Sequence, residues 1–175
     1  MPVVRKRTVC IFLICMILSA CGYRFAGGGR FPADMKSIRM AVFDNHTSEP
    51  GLETLFANDL IHELSLYSDG AIVSPGSATD AADGFITGSI ESMRIETVSS
   101  TGPHGSVERR VEIAISLRLS DSNGKSVWSA NRLANNETYI VMDDKLSTEQ
   151  NRRDAIAEIS KRIAENVYYR LTDKF

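Results

Sequence analysis

The chain has 175 residues, and its 20 Lys+Arg against 22 Asp+Glu give a net charge of −2. That length fits one domain able to build its own core. The slightly acidic balance argues against a nucleic-acid binder, which is normally basic overall.

The first stretch carries three cations, Arg5, Lys6 and Arg7, followed by an apolar run from Val9 to Leu18 and then Ser19-Ala20-Cys21. A charged head, a short apolar run and small residues at its end make a secretory signal peptide. The 12 residues from Val9 to Ala20 cover about 18 Å as a helix, well short of the roughly 30 Å hydrocarbon core, so a permanent span is not expected. Leu18-Ser19-Ala20-Cys21 looks like a bacterial lipobox. In a lipobox the cysteine sulfur is acylated, the bond before it is cut, and the cysteine becomes the lipid-bearing first residue. The expectation is therefore a signal peptide over 1–20 that is removed and lipidation at Cys21; a signal peptide cut elsewhere is the plainer alternative. Gly22, where an aspartate would retain a lipoprotein in the inner membrane, favours the outer membrane by resemblance to known lipoproteins. Three acyl chains on one cysteine would hold the domain firmly, where a single chain binds only marginally.

Removal of residues 1–20 takes away three of the 20 Lys+Arg and none of the 22 Asp+Glu, leaving 17 − 22 = −5. Cys10 and Cys15 leave with it and Cys21 is taken by lipid, so no thiol remains for a disulfide, a nucleophile or a metal. A periplasmic domain with no disulfide rests on its core alone.

Residues 21–35 read as a lipidated tether, with Gly27-Gly28-Gly29 as a flexible run and Tyr23 and Phe25 as aromatics that pack on the domain or on a partner. The domain proper is expected over 36–175. Ser37 to Phe43 alternates, with Ile38, Met40 and Val42 on one face, and predicts a first strand; Asp44 to Ser48 reads as a turn. Pro50 suits the first turn of a helix. Leu52, Leu55, Phe56, Leu60, Leu64 and Tyr67 then recur at helical spacing, up to a cap at Asp69-Gly70. Ala71 to Val73 is a short strand, and a polar connection leads to a longer one from Gly84. Ile86 and Ile90 share a face there, whereas Met93 and Ile95 fall in the opposite phase, which predicts a β-bulge near Glu91-Ser92. Val107 to Ser120 is the cleanest strand. Its Val111, Ile113, Ile115, Leu117 and Leu119 point one way, and Glu112, Ala114, Ser116 and Arg118 the other. Asn123-Gly124 turns the chain into a returning strand that changes phase near Asn131. Ser147 with Gln150 three residues later forms a capping box. A last helix follows to about Leu171, striped by Ile156, Ile159, Ile163, Val167 and Leu171. Strands and helices are segregated, so the predicted class is α+β: two layers, two helices on one face of a mostly antiparallel sheet of about four strands. The other sheet face then needs water or a partner.

Chemistry is sparse. His62-Glu63 opens like a zinc-protease motif, but Leu66 stands where the second histidine is required. His46 and His104 lie in separate loops without metal spacing. Gly124-Lys125-Ser126 sits in a hairpin, with Leu119 where a phosphate loop needs glycine. Asp143-Asp144 reads as a helix-entry turn rather than an acid/base pair. No constellation for catalysis, a metal or a cofactor emerges. The cations Arg94, Arg109, Arg110, Arg118, Lys125 and Arg132 fall on the long strands or their turn, and Lys145, Arg152 and Arg153 on the start of the last helix. Solvated charge accounts for most of them; a site for an anionic headgroup is the functional reading, because arginine matches phosphate in fork geometry.

With these pieces in order the chain resembles the lipopolysaccharide-assembly lipoprotein family, LptE. The resemblance is carried by Cys21-Gly22-Tyr23-Arg24-Phe25, by Phe31-Pro32, and by Ile38 to Asn45 with Glu49-Pro50-Gly51-Leu52-Glu53. Gly124 to Trp128 and Glu149 to Ala155 complete it. It implies a non-enzymatic protein at the outer membrane that plugs the LptD β-barrel, helps lipopolysaccharide reach the surface and binds lipopolysaccharide. Arg109, Arg110, Lys145 and Arg152 are the candidate lipopolysaccharide contacts, chosen at loop ends that can enter a barrel. The alternative is a structural lipoprotein subunit of another envelope secretion or assembly complex. Replacement Cys21→Ser is expected to abolish incorporation of labelled palmitate and, because acylation precedes the cut, to leave residues 1–20 attached; retained palmitate incorporation, or a chain still cut before residue 21, would overturn the lipobox.

Overall fold

A computed structural model describes residues 31–67, 72–73, 82–100 and 107–172. The expected signal peptide, Cys21, the glycine run, the expected Asp69-Gly70 cap and His104 lie outside the described residues. A 3-10 turn over Pro32–Asp34 leads to β1 (Ile38–Met40), β2 (Asp44–Asn45), α1 (Leu52–Tyr67) and β3 (Ile72–Val73). Three long strands follow, β4 (Gly84–Ser100), β5 (Val107–Asp121) and β6 (Ser126–Val141), and then α2 (Lys145–Thr172). One sheet runs in the order β3-β1-β4-β5-β6, with β2 also paired to β4. The class is α+β as predicted. The sheet is wider than four strands because two additional pairings are only two residues long.

The long strands form an antiparallel meander whose middle member dictates the core. Alternation puts Val111, Ile113, Ile115, Leu117 and Leu119 on one face, and each is 3% exposed or less. Full burial of such a side chain is worth about 1.5–3 kcal/mol. Leu52, Phe56, Leu60 and Leu64 of α1 and Ile156, Ile159, Ile163, Val167 and Leu171 of α2 bury against the same cluster. Both predicted helical stripes therefore face one core. Phe31 and Met35 belong to it as well, so packing reaches back beyond the expected domain start at 36.

The two phase slips read from the sequence are bulges. The β4–β5 register shifts between Ile90 and Ser92, and the β5–β6 register shifts where Leu117 pairs with Ala130 and Ile115 with Leu133. In the second, Arg132 takes a φ of 50°, and its N–H donates to Ser116 Oγ at 3.1 Å. At the hairpin, Asp121 Oδ1 accepts the N–H groups of Asn123 and Lys125, both at 2.9 Å, and Gly124 supplies the φ of 79° that closes the turn.

Three details differ from expectation. The first predicted strand is split. Met40 ends β1, and Asp44–Asn45, expected as a turn, pairs in parallel with Ser89 and Ile90 of β4. β1 itself lies parallel to both β3 and β4, so the sheet is mixed on that side. The last helix begins at Lys145 and is capped by Asp144, whose Oδ1 accepts the Ser147 N–H at 2.8 Å; the capping position precedes the predicted Ser147.

Gly88 marks a tight passage between β4 and the core. A Cβ there would lie 2.8 Å from both the Phe43 ring and the Leu117 side chain. Gly88→Val is therefore expected to destabilise by about 1–3 kcal/mol, read as a lowered urea midpoint with an unchanged slope; an unaltered midpoint would contradict this packing.

Candidate functional site

The candidate cations converge on one end of the molecule through strand register. Thr97, Arg109 and Tyr139 lie abreast on β4, β5 and β6. Val107 pairs with Val141, and α2 begins four residues later at Lys145. Arg109 and Arg110 are neighbours on an extended strand, so they point to opposite faces of the sheet. Arg109 is on the helix side and exposed, whereas Arg110 is on the open face and half-exposed. Arg110 lies opposite Glu96 in register, with Nη1 at 3.6 Å from Glu96 Oε1. Lys145 is exposed as the first residue of α2.

The same end is unusually apolar. Ile95, Val98, Ile140, Met142 and Leu146 all remain exposed there, Leu146 by 81%. Ile95 sits in the core-facing phase of β4 and is exposed, although Val111, opposite it on β5, is buried. Sequence periodicity assigned it to a core-facing position and gave no means of seeing where the helices stop.

Polar bonds hold this end in place. Thr148 Oγ1 accepts the Met142 N–H at 2.8 Å and donates to the Met142 carbonyl at 3.0 Å. Asn151 Nδ2 donates to the Ile140 carbonyl at 2.9 Å. These two side chains, absent from the sequence candidates, pin the first turns of α2 to the last residues of β6. On one flank a cavity of about 480 Å³ lies between β6 and α2 and is lined by Glu108, Glu137, Asp154 and Glu158. Arg162 bridges Glu137 at 2.6 Å and Glu158 at 3.1 Å. Among the described residues no group of three or more His, Cys, Asp or Glu is placed to hold a metal, and no helix is long and apolar enough to cross a membrane.

Arg152 stands apart from the other three candidates. Its Nη1 and Nη2 donate to Glu49 Oε2 and Oε1 at 3.0 and 2.9 Å. Its Nε and Nη2 donate to Glu149 Oε2 and Oε1 at 3.0 and 2.6 Å. The side chain is only 16% exposed. This fork ties α2 to the loop before α1, and a phosphate contact at Arg152 would compete with both carboxylates. The hydrogen bonds it donates to Glu149 first, then to Glu49, hold the pKa of the guanidinium well above its ordinary value; in turn Arg152 holds that of the Glu149 carboxyl below the usual range.

A carboxyl depressed in the folded state contributes stability that is complete above its unfolded value, about 4.3, and is lost as pH falls through the lower folded value. Arg152→Met is expected to cost about 1–2 kcal/mol at neutral pH and to flatten the fall of the urea midpoint between about pH 5 and pH 3. An unchanged slope in that window would contradict the clamp.

Comparison with known proteins places this arrangement. No curated protein matches the chain in sequence. Among solved structures, the chain is similar to a lipoprotein structure from Caulobacter crescentus, at 15% identity and a TM-score of 0.56, covering 79% of this chain and 89% of that one. It is similar to the PelC dodecamer subunit from Paraburkholderia phytofirmans, at 17% identity and a TM-score of 0.51, covering 83% and 95%. A protein from Xanthomonas campestris matches at 9% identity and a TM-score of 0.53, covering 82% and 87%. At those identities the likeness is one of fold. The model of the lipopolysaccharide-assembly family matches residues 35–171, which span both helices and every strand described above, and the chain therefore belongs to the LptE family of lipopolysaccharide-assembly lipoproteins.

Proposed function

We propose that this lipoprotein, anchored through Cys21 to the inner leaflet of the outer membrane, plugs and supports assembly of the LptD β-barrel and binds lipopolysaccharide at the end built by β4, β5, β6 and the start of α2. The observation that carries the reading is the joint placement of charge and apolar surface at that end, in a chain of the lipopolysaccharide-assembly family. Arg109 and Lys145 offer exposed cations, Arg110 offers a further one on the opposite face, and Ile95, Val98, Ile140, Met142 and Leu146 supply exposed apolar contact. Phosphate groups on an amphiphile require the first, and acyl chains or the wall of a barrel require the second. Lys145 reinforces the positive end of the α2 dipole. In this reading Arg152 has a positioning role, keeping the start of α2 in register with the loop before α1.

The role proposed here is recognition and scaffolding, with no bond made or broken. Two measurements test it. Gentle detergent solubilisation followed by affinity purification is expected to bring the outer-membrane barrel with the chain; a preparation free of any barrel, or carrying a different envelope complex, would overturn the plugging role. The pair Arg109→Glu with Lys145→Glu is expected to weaken lipopolysaccharide binding roughly tenfold at low salt, where exposed charge contacts are strongest, with the urea midpoint unchanged. Undiminished binding under those conditions would remove these residues from the site.

A further inference from the structure

β6 is the outer strand of the sheet, and the cavity of about 480 Å³ beside it wraps around its edge. Glu137 and Tyr139 line it from the helix side of β6, Thr138 from the open side, and Asp154 and Glu158 from α2. Glu108 closes it from β5. Asp154, Glu158 and Arg162 are spaced four residues apart, so they share one face of α2. Arg162, one turn beyond Glu158, supplies the cation at that end, bridging Glu137 and Glu158. Toward the other end no cation stands among the described lining residues. Asp154 Oδ1 accepts the neutral Gln150 amide at 2.8 Å, and Glu108 Oε2 accepts the Ser99 hydroxyl at 3.1 Å. Tyr139 lines the same space. It is only 5% exposed, yet no described residue hydrogen-bonds its hydroxyl. A polar group so enclosed is costly to leave unpaired, and its partner has to come from inside the cavity.

The edge itself offers little to an added strand. The Thr138 N–H donates to Glu137 Oε1 at 3.2 Å, and the Ile140 carbonyl accepts Asn151 Nδ2 at 2.9 Å. Thr148 Oγ1 takes both backbone groups of Met142. A ligand therefore enters as a side chain, and its polar atoms have to be donors, because carboxylates only accept. We propose that this cavity receives the guanidinium of an arginine on the inner wall of the barrel, an inference that rests on the plugging role proposed above. Charge complementarity selects the occupant: four carboxylates line the cavity, and Arg162 engages two of them. Arg109 stands abreast of Tyr139 on β5 but is exposed and outside the lining. Geometry selects arginine, whose planar group carries five N–H donors in a fixed fork. Arg162 already shows one guanidinium shared between a strand carboxylate and an α2 carboxylate. A second guanidinium, one turn nearer the start of α2, repeats that pattern between Glu108 and Asp154, and the Tyr139 hydroxyl gains its missing partner. Arg109 and Lys145 stay available to phosphate.

The cavity and its occupant are tested separately. Full-length chain in detergent at low salt is titrated with N-acetylarginine amide and followed by amide NMR shifts. Shifts are expected at the Asn151 side-chain amide and at residues 138–140. N-acetylcitrulline amide, of similar shape without the charge, is expected to bind about tenfold more weakly. Asp154→Asn with Glu108→Gln should weaken the arginine probe roughly tenfold, and Tyr139→Phe about threefold, each with an unchanged urea midpoint. Equal binding of the two probes, or undiminished binding by the double variant or by Tyr139→Phe, would overturn the cavity as a cation site. In affinity purification the double variant is expected to bring about fivefold less barrel than the unsubstituted chain, with lipopolysaccharide binding unchanged. Equal recovery of the barrel would overturn an arginine of its wall as the occupant; reduced lipopolysaccharide binding with equal recovery would do the same and give the cavity to an amine on the lipid. Absence of any barrel from the unsubstituted chain would overturn the plugging role and this occupant with it, whereas the acetylarginine titration still decides the cavity.

Discussion

The structure depends on one alternating strand. β5 lies between β4 and β6, and its Val111, Ile113, Ile115, Leu117 and Leu119 form the floor on which both helices rest. A slip of one residue would turn all five to the open face. Register is therefore strongly fixed, and what fixes it at the two ends is polar. The Asp121 carboxylate closes the turn to β6, and bulges absorb the mismatches at Ile90–Ser92 on one side and at Arg132 on the other. Each bulge lets a strand keep its apolar residues on the core face over a length that a regular, twisted ladder would not sustain.

The position of the helices across the meander also sets where surface appears. Ile95 of β4 is exposed while Val111, directly opposite it on β5, is buried, so cover is lost toward the β4 side of the sheet. Apolar surface at that end follows from geometry: a long sheet with helices on one face leaves part of that face uncovered. The polar bonds of Thr148 and Asn151 and the Arg152 fork then fix α2 against it, so the exposed end is held by directional contacts where dense packing is missing.

Local pattern carried much of this. Alternation located β5, phase slips located two of the four register shifts in the long strands, Asn123-Gly124 located the hairpin, and the Leu and Ile stripes located both helices. What it missed was chiefly strand and ion pairing with partners distant in sequence. Ile38–Met40 and Asp44–Asn45 look like a strand and a turn locally; their separate parallel pairings with β4 lie more than 40 residues away. Asp144 and Ser147 are both acceptable caps by residue type, and only backbone position chooses between them. Arg152 looked like Arg109 and Lys145 as a cation near a loop end, yet its partner Glu49 is 103 residues distant. Residue type marks a cation as a candidate, and only the fold shows whether its hydrogen-bonding capacity is already spent.

That distinction orders the cations by what each has left to offer. Arg152 donates to two carboxylates and is mostly enclosed, so its charge is satisfied within the fold. Arg110 shares its row with Glu96 at 3.6 Å, a partial neutralisation on a half-exposed face. Arg109 and Lys145 are exposed, and such groups retain most of their capacity to attract an anion while keeping their hydration. Desolvating a cation is costly unless a counter-charge replaces its water. A phosphate-bearing ligand entering between Arg109 and Lys145 would supply that counter-charge where nothing in the fold has to be broken first. The apolar residues around it would lower the local dielectric and strengthen each contact. This end thus combines unspent charge and uncovered apolar surface, held in place by a clamp whose own charge is spent.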